Sequence, residues 1–213
     1  MVLERNGLGF AELPCHWKRI IVILVVVMVV LSMTSVLLYR QAKDYHDAKY
    51  RSQNVIMYEL DRLVSLTGGY ITDMSNTSNS MGERAIAGAT AIEYTSEAST
   101  WITAVREMYL DDSEKNDTFA TVDKAIGAVN GHVWLIYEFM MWNVTRGWPM
   151  LEQPAVAEEL LAAVPLLTEL GQLLFAGFED NVDFEKHPYS VVNNLDLAAI
   201  RIQALAIYDV FTQ

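Results

Sequence analysis

The stretch that decides the fold reads IIVILVVVMVVLSMTSVLLY, from Ile20 to Tyr39, and it contains no charged residue. It lies between Arg19 and Arg40. At about 1.5 Å per residue, a helix of this length covers about 30 Å, the thickness of the hydrocarbon core of a bilayer. The stretch therefore predicts one transmembrane helix. It divides the chain into a tail (residues 1–19), the span (residues 20–39) and a domain (residues 40–213).

A cleaved secretory signal is the main alternative for this stretch. Such signals have an apolar region of about 7 to 15 residues, followed by small residues at the cleavage site. The run in this chain is longer, and it ends in Leu37-Leu38-Tyr39-Arg40. We therefore expect a single-pass anchor that stays attached to the domain.

Glycosylation sequons and acidic residues follow the span. The sequons begin at Asn76, Asn116 and Asn143, and such sequons mark the surface of extracytoplasmic domains. Residues 41–213 hold 11 Lys and Arg against 25 Asp and Glu, whereas residues 1–40 hold 4 and 2. Basic residues flank the span on both sides, so their count alone does not decide the orientation. The sequons and the charge predict a cytoplasmic N-terminus and a domain outside the cytoplasm, at the cell membrane.

The composition also excludes some classes of partner and of structure. The net charge of −12 would repel a phosphate backbone, so we expect no nucleic-acid partner. Cys15 is the only cysteine, so the domain has no disulfide framework and must be held by its own core. Cys15 lies close to the span, where acylation is an option, although an unmodified thiol is the favoured interpretation.

Beyond residue 40 the apolar residues recur at helical spacing, and no run alternates with the period of a strand. Short connections between helices of similar length make antiparallel neighbours. We therefore predict an all-α fold, in which the transmembrane helix continues into an antiparallel up-and-down bundle of about five helices. Each segment is expected to have roughly 24 to 30 residues.

The ends of these helices are predicted from capping and breaking residues. Gly68-Gly69 is expected to end the first helix, and the second to cover about residues 81–110. Asp117 is a good N-cap for the third. Pro154 suits the first turn of the fourth, and the fifth is expected to follow Pro188.

The third helix contains the most apolar stretch of the domain, residues 133–142 (VWLIYEFMMW). A segment that is apolar on nearly every side is expected to be in contact all round. Gly127 and Gly131 form a G-x-x-x-G pattern just before it. Small residues at this spacing let two helices approach closely. One interpretation is a dimerisation face, and the favoured one is internal packing against the second helix.

No catalytic or cofactor motif is found in the sequence. The four histidines, His16, His46, His132 and His187, lack the Glu-x-x-His spacing of di-metal bundles. Neither a nucleophile elbow nor a phosphate-binding glycine loop occurs. We therefore predict that the chain is not an enzyme and has no tightly bound cofactor.

Two weaker hypotheses concern ligands. His132, Trp134 and Trp142 are candidates to line a pocket for an apolar or cationic ligand, although side chains at this spacing more often belong to the core. Two acidic loops are expected at one end of the bundle, where carboxylates could hold Ca²⁺. Solvated polar loops are the favoured alternative. The candidate ligands for the ion are Asp111, Asp112, Glu179, Asp183 and Glu185.

These observations predict an interaction protein rather than a catalyst. The main hypothesis is a membrane-anchored helical-bundle module, or accessory subunit of a membrane complex, that binds a protein partner or a second copy. The alternative is a ligand-binding or sensor module. Because no second span is expected before Gln213, such a module would report through a separate partner.

Overall fold

The computed structural model describes residues 14–146, 154–178 and 190–212. Within these ranges the chain forms five α-helices and no strand, so the predicted all-α bundle is confirmed. The chain divides into two compact units, Met1–Ala48 and Lys49–Gln213. The first unit holds the apolar stretch, and the second holds the bundle.

Helix α1 covers Cys15–Ser75. Among the described residues it is the one helix with a segment long and apolar enough to cross a membrane, and none of that segment is buried. Large apolar side chains are exposed all along it, as Val22, Ile23 and Leu31 illustrate. An apolar surface that the protein itself does not cover is what a lipid-facing segment requires.

Beyond Lys49, α1 belongs to the bundle. Its buried side chains recur at helical spacing, so one face of the helix meets the core. They include Met57, Leu60, Leu63, Val64, Ile71 and Met74. The predicted end at Gly68-Gly69 was wrong, because α1 continues to Ser75. Gly68 instead lies against α4, where an added Cβ would be 3.4 Å from Val164 Cγ1, and the contacts on either side hold the helix together.

Helix α2 covers Met81–Met108 and begins with a capping box. The Ser80 side chain accepts a hydrogen bond from Glu83 N, and the Glu83 carboxylate accepts one from Ser80 N. The buried face of α2 is made mostly of small residues, Ala85, Ala87, Gly88, Ala91 and Ala98. Small side chains allow the neighbouring helices to approach closely. At Gly88 an added Cβ would lie 3.0 Å from Met74 Sδ and 3.3 Å from Tyr137 Cδ2.

Helix α3 covers Ser113–Arg146, so the predicted N-cap at Asp117 was five residues too late. Asp112 provides the cap, because its Oδ1 accepts a hydrogen bond from Lys115 N at 3.2 Å. The core-facing stripe of α3 consists of Phe119, Val122, Ala125, Ile126, Val129, Val133, Ile136 and Met140.

Helices α4 and α5 complete the bundle. Helix α4 covers Pro154–Phe175 and begins at the predicted proline. The predicted long fifth helix was wrong: a 3₁₀ turn covers Val191–Asn194 and α5 covers only Leu197–Val210. The helix begins there because Asp196 caps it, accepting a hydrogen bond from Ala199 N. Helix α3 packs along α2 and contacts both α4 and α5, and α4 contacts α5.

A buried polar joint fixes the 3₁₀ turn onto α1. Asn54 Oδ1 accepts a hydrogen bond from Val191 N at 3.2 Å. Ser190 Oγ donates to Gln53 Oε1 at 3.2 Å and lies 3.0 Å from the Tyr109 hydroxyl. All five polar groups lie in or beside the core, where unpaired donors and acceptors are costly. The joint therefore sets where the segment before α5 attaches.

Candidate interaction surface

The side of α3 opposite its core-facing stripe carries an unusual set of exposed residues. We call this side the α3 outer face. Helical spacing places its members along one stripe, because they follow one another at intervals of three or four residues. It consists of Lys124, Gly127, Gly131, Trp134, Leu135 and Glu138.

Two large apolar side chains are adjacent on the α3 outer face. Trp134 is 49% exposed and Leu135 is 45% exposed. The predicted contact on all sides of residues 133–142 was therefore wrong, since α2, α4 and α5 cover only part of α3. Single exposed apolar residues are common on protein surfaces, whereas this tryptophan and leucine are adjacent and form one apolar patch.

The G-x-x-x-G pattern lies on the same exposed side. An added Cβ at Gly127 or at Gly131 would meet no heavy atom of its surroundings within 4 Å. The favoured interpretation of the pattern, internal packing against α2, was therefore wrong. The close contact with α2 instead involves Gly88 and other small residues of that helix. The two glycines leave a shallow, open strip of backbone next to Trp134.

Trp134 is held in place by a neighbour. Its ring packs edge-on against Tyr137, with ring centroids 5.6 Å apart and an interplanar angle of 80°. Tyr137 is partly buried and packs against the core. The contact restricts the rotamers of the indole, so a partner that covers it would find it already ordered.

His132 points to another part of the bundle. Its Nδ1 donates a hydrogen bond to Ala128 O at 2.9 Å, and its Nε2 lies 3.7 Å from Glu159 Oε2 of α4. The imidazole also packs against Phe211, which follows α5, with a centroid distance of 4.4 Å. His132 thus links α3 to α4 and α5.

The three residues of the predicted ligand pocket are therefore not brought together. His132 lies among α4 and α5, whereas Trp134 belongs to the α3 outer face. Trp142 is 38% exposed and packs edge-on against Phe139 at a centroid distance of 6.1 Å. The pocket stays a prediction.

The acidic residues of the predicted calcium site lie only partly within the described chain. Glu179, Asp183 and Glu185 fall outside the described residues. Asp111 is exposed, and Asp112 pairs with Lys115 Nζ at 2.6 Å. Within residues 14–146, 154–178 and 190–212, no group of three or more His, Cys, Asp or Glu side chains could hold a metal ion. The calcium site stays a prediction.

The capping role of Asp112 gives a testable pH dependence. The hydrogen bonds and charge of Lys115 hold the pKa of Asp112 below its ordinary value of 3.8. A carboxyl with a lowered pKa in the folded state stabilises the fold above its unfolded pKa, and this contribution is lost as the pH falls through the folded pKa. Asp112→Asn keeps a capping oxygen but removes the charge. It should lower the melting temperature at pH 7, and the difference from the wild type should shrink as the pH falls below 3.8, measured by circular dichroism.

The neighbouring Asp111 provides the control for this prediction. It is exposed and makes no hydrogen bond or ion pair with the described residues, so Asp111→Asn removes the same charge without the Lys115 contact. Equal effects of the two substitutions at pH 7 would show that net charge matters and the Lys115 pair does not.

The three sequons differ in their surroundings. Asn76 is exposed in the turn after α1, and its Oδ1 accepts a hydrogen bond from Ser78 N. Asn116 lies in the first turn of α3, where its Nδ2 donates to Arg106 O at 3.2 Å. Asn143 is half-buried within α3. A glycan requires a free amide nitrogen on an accessible loop, so Asn76 is the best placed of the three.

Several polar contacts between elements of the bundle were not predicted from the sequence, and two of them are described here. One is the joint of Gln53 and Asn54 with the 3₁₀ turn. The other links α2 and α3, where Ser99 Oγ donates to Asp123, whose other oxygen lies 3.7 Å from Arg106 Nη1. The available signal was the position of these polar residues at core-facing places in the helical period.

Comparisons with protein-family models, with curated proteins and with solved structures give no match for this chain.

Proposed function

We propose that this protein is a single-pass, membrane-anchored interaction module whose α3 outer face binds a protein partner. The observation that carries the proposal is the position of Trp134 and Leu135 beside two open glycines. Binding energy at interfaces is concentrated in a few aromatic and apolar anchors, and tryptophan is the most enriched of them. The module has no catalytic role in this proposal.

The glycines favour a helical partner. Without a Cβ, Gly127 and Gly131 let another backbone come closer than the usual interaxial distance of 8–10 Å. A helix lying along the open strip would cover both glycines and pack against Trp134. Such helix-in-groove binding positions its anchors at helical spacing along one face.

The alternative, a ligand-binding or sensor module, has less support. It was based on a pocket formed by His132, Trp134 and Trp142, and these side chains contact different parts of the bundle. An interaction surface requires no cavity, and its central residues are already adjacent.

The partner-binding role can be tested by a substitution whose effects on stability and on binding have opposite signs. Gly131→Gln places a better helix former on an exposed helical position, so the free energy of unfolding should rise by about 0.5–1 kcal/mol. The same side chain would occupy the strip that a partner helix needs. Proteins that copurify with the full chain from detergent extracts should therefore be lost, although the variant is more stable.

Gly82→Gln is the matched control. Gly82 also lies in a helix with no heavy atom within 4 Å of an added Cβ, but it belongs to α2. This variant should keep every copurifying protein. If Gly131→Gln keeps them as well, the α3 outer face is not the binding surface.

The anchor part of the proposal concerns Ile20–Tyr39. We propose that this segment spans the cell membrane with the N-terminal tail in the cytoplasm and the bundle outside. The segment is long, apolar and unburied, and the acidic residues and sequons follow it.

Protease treatment of intact cells tests this orientation. Because the bundle is proposed to lie outside, added protease should digest the chain beyond about Arg40 and leave a fragment with the N-terminal tail. The fragments can be identified by immunoblotting with tags at either end. Protection of the C-terminal tag until the cells are lysed would reverse the orientation.

A further inference from the structure

We infer that Asn76 carries an N-linked glycan and that Asn116 and Asn143 do not. The three sequons differ in the surroundings of two groups, the amide nitrogen of the asparagine and the hydroxyl of the third residue. The inference rests on the orientation given in the proposed function, because N-glycans are added on the extracytoplasmic side of a membrane. It goes beyond that function, because it concerns a modification and uses no residue of the α3 outer face.

N-glycosylation joins the amide nitrogen of an asparagine to a sugar. The bond between Nδ2 and the sugar C1 forms as the bond from C1 to a phosphate oxygen of a lipid-linked glycosyl donor breaks. The lipid phosphate leaves with the electron pair of that bond, and one Nδ2 proton passes to a base of the transferase. The nitrogen must therefore be accessible. Because the third residue must be Ser or Thr, its hydroxyl is recognised too and must be free for a hydrogen bond.

The amide nitrogen of Asn76 meets this requirement. Asn76 is exposed in the turn between α1 and α2. Its Oδ1 accepts a hydrogen bond from Ser78 N at 3.0 Å. A backbone N–H can only donate, so this contact fixes the amide oxygen toward the turn and leaves Nδ2 as the other atom of the amide. Nδ2 makes no hydrogen bond with the described residues.

The hydroxyl of Ser78 is available as well. Ser78 is exposed, and its Oγ makes no hydrogen bond with any residue that the structure describes. The turn around it is ordered, because Asn79 N donates to Asn76 O at 3.1 Å and Arg84 Nε donates to Met74 O at 2.7 Å. Both acceptor groups are therefore displayed on an exposed turn whose ends are fixed to α1 and α2.

The sequon at Asn116 has both groups engaged. Asn116 is partly buried, and its Nδ2 donates to Arg106 O at 3.2 Å. The third residue, Thr118, is only 2% exposed, and its Oγ1 donates to Glu114 O at 2.8 Å. A transferase could reach these groups only if the start of α3 separated from the end of α2.

The sequon at Asn143 is held within α3. Asn143 is partly buried, and the hydroxyl of Thr145 donates to Met141 O at 2.6 Å. The backbone of a helix is also fixed by its own hydrogen bonds, so this triplet could not bend toward an enzyme without unwinding a turn. Asn76 is therefore the site that the folded protein offers.

Peptide mapping of the full chain tests the inference. Trypsin cleaves after Lys and Arg, so the three sequons fall on separate peptides, residues 63–84, 116–124 and 125–146. The protein is purified in detergent from the membranes of the cells that produce it. In mass spectrometry, peptide 63–84 should carry the mass of a glycan on Asn76, and the other two peptides should have their unmodified masses. Electron-transfer fragmentation, which keeps the sugar attached, locates the modified residue.

Ser78→Ala and Thr77→Ala form a matched pair of variants. Each removes one exposed hydroxyl from the same turn. Only Ser78→Ala destroys the sequon, since its middle position accepts any residue except proline. Ser78→Ala should lose the glycan from peptide 63–84, whereas Thr77→Ala and Ser78→Thr should keep it. A sugar that persists in Ser78→Ala would not be linked through this sequon and would overturn the inference.

An unmodified peptide 63–84 from the full chain, or a glycan on either of the other two peptides, would also overturn it. The protease experiment on intact cells distinguishes this failure from a failure of the proposed orientation. If peptide 63–84 is unmodified and the bundle is digested from outside, only the inference about Asn76 is wrong. If the bundle is protected until lysis, the orientation is wrong as well.

Discussion

Gly177→Ala is expected to lower the free energy of unfolding by about 2–3 kcal/mol, at the upper end of the usual cost of overpacking. Gly177 is buried where the chain leaves α4. An added Cβ would lie 2.6 Å from Val191 O and 2.8 Å from both Val191 Cγ1 and Leu195 Cδ2. Because one of these atoms belongs to the backbone, a rotamer change cannot relieve the clash. The 3₁₀ turn would have to move.

Gly69→Ala is the control for this prediction. Gly69 lies within α1, and an added Cβ there would meet no heavy atom within 4 Å. Alanine is a better helix former than glycine by about 0.8–1 kcal/mol, so Gly69→Ala should stabilise the protein. Denaturant unfolding followed by circular dichroism distinguishes the two variants. Equal midpoints for Gly177→Ala and the wild type would show that the turn does not pack on Gly177.

Asn54→Ala is expected to lower the free energy of unfolding by about 2–3 kcal/mol. Asn54 is fully buried in α1, and its Oδ1 accepts the hydrogen bond from Val191 N. Truncation leaves this backbone N–H buried without its acceptor, and an unsatisfied buried group costs about 1–3 kcal/mol. The lost side-chain volume adds a cavity to this cost. Thermal unfolding of the full chain in detergent measures the change.

Gln53→Met, at the neighbouring position, is the control for Asn54→Ala. Gln53 Nε2 is buried and has no hydrogen-bond partner among the described residues. Replacement by methionine removes this unpaired donor and keeps the volume, whereas Ser190 Oγ retains its contact with the Tyr109 hydroxyl. The stability should therefore change little. If Gln53→Met destabilised the protein as much as Asn54→Ala, the loss would reflect packing at this point of α1 rather than the bond to Val191.

Gly177→Ala and Asn54→Ala both act on the 3₁₀ turn at Val191. Val191 is enclosed by Gly177, which leaves room for its backbone, and by Asn54, which binds its N–H. The segment before α5 is therefore fixed between α1 and the end of α4. The position of α5 in turn brings Phe211 against His132, so both substitutions should also loosen the contact of His132 with its neighbours.

Several features of the fold could be predicted from the sequence because they depend on local chemistry. The uncharged length of Ile20–Tyr39 predicts a helix long and apolar enough to cross a membrane, regardless of what surrounds it. Pro154 starts α4 because the first turn of a helix needs no N–H at that position. The recurrence of apolar residues every three or four positions identifies helices even when their neighbours are unknown.

Other features depended on contacts between distant parts of the chain. Gly68-Gly69 predicts a helix end locally, but α1 continues because α4 packs on Gly68 and the core holds Ile71 and Met74. Conversely, the 3₁₀ turn at Val191–Asn194 interrupts a segment whose apolar spacing indicates a helix. Its bonds to Gln53 and Asn54, more than 130 residues away in sequence, stabilise the turn.

The α3 outer face shows most clearly which features the sequence determines and which depend on the tertiary structure. The sequence by itself determined that residues 133–142 are helical and apolar, and that Gly127 and Gly131 share one side of that helix. Only the tertiary structure decided which side is covered, because a helix that is apolar on nearly every side gives no preference for one face over another. The docking of α2, α4 and α5 buries one stripe of α3 and leaves Trp134, Leu135 and the two glycines exposed.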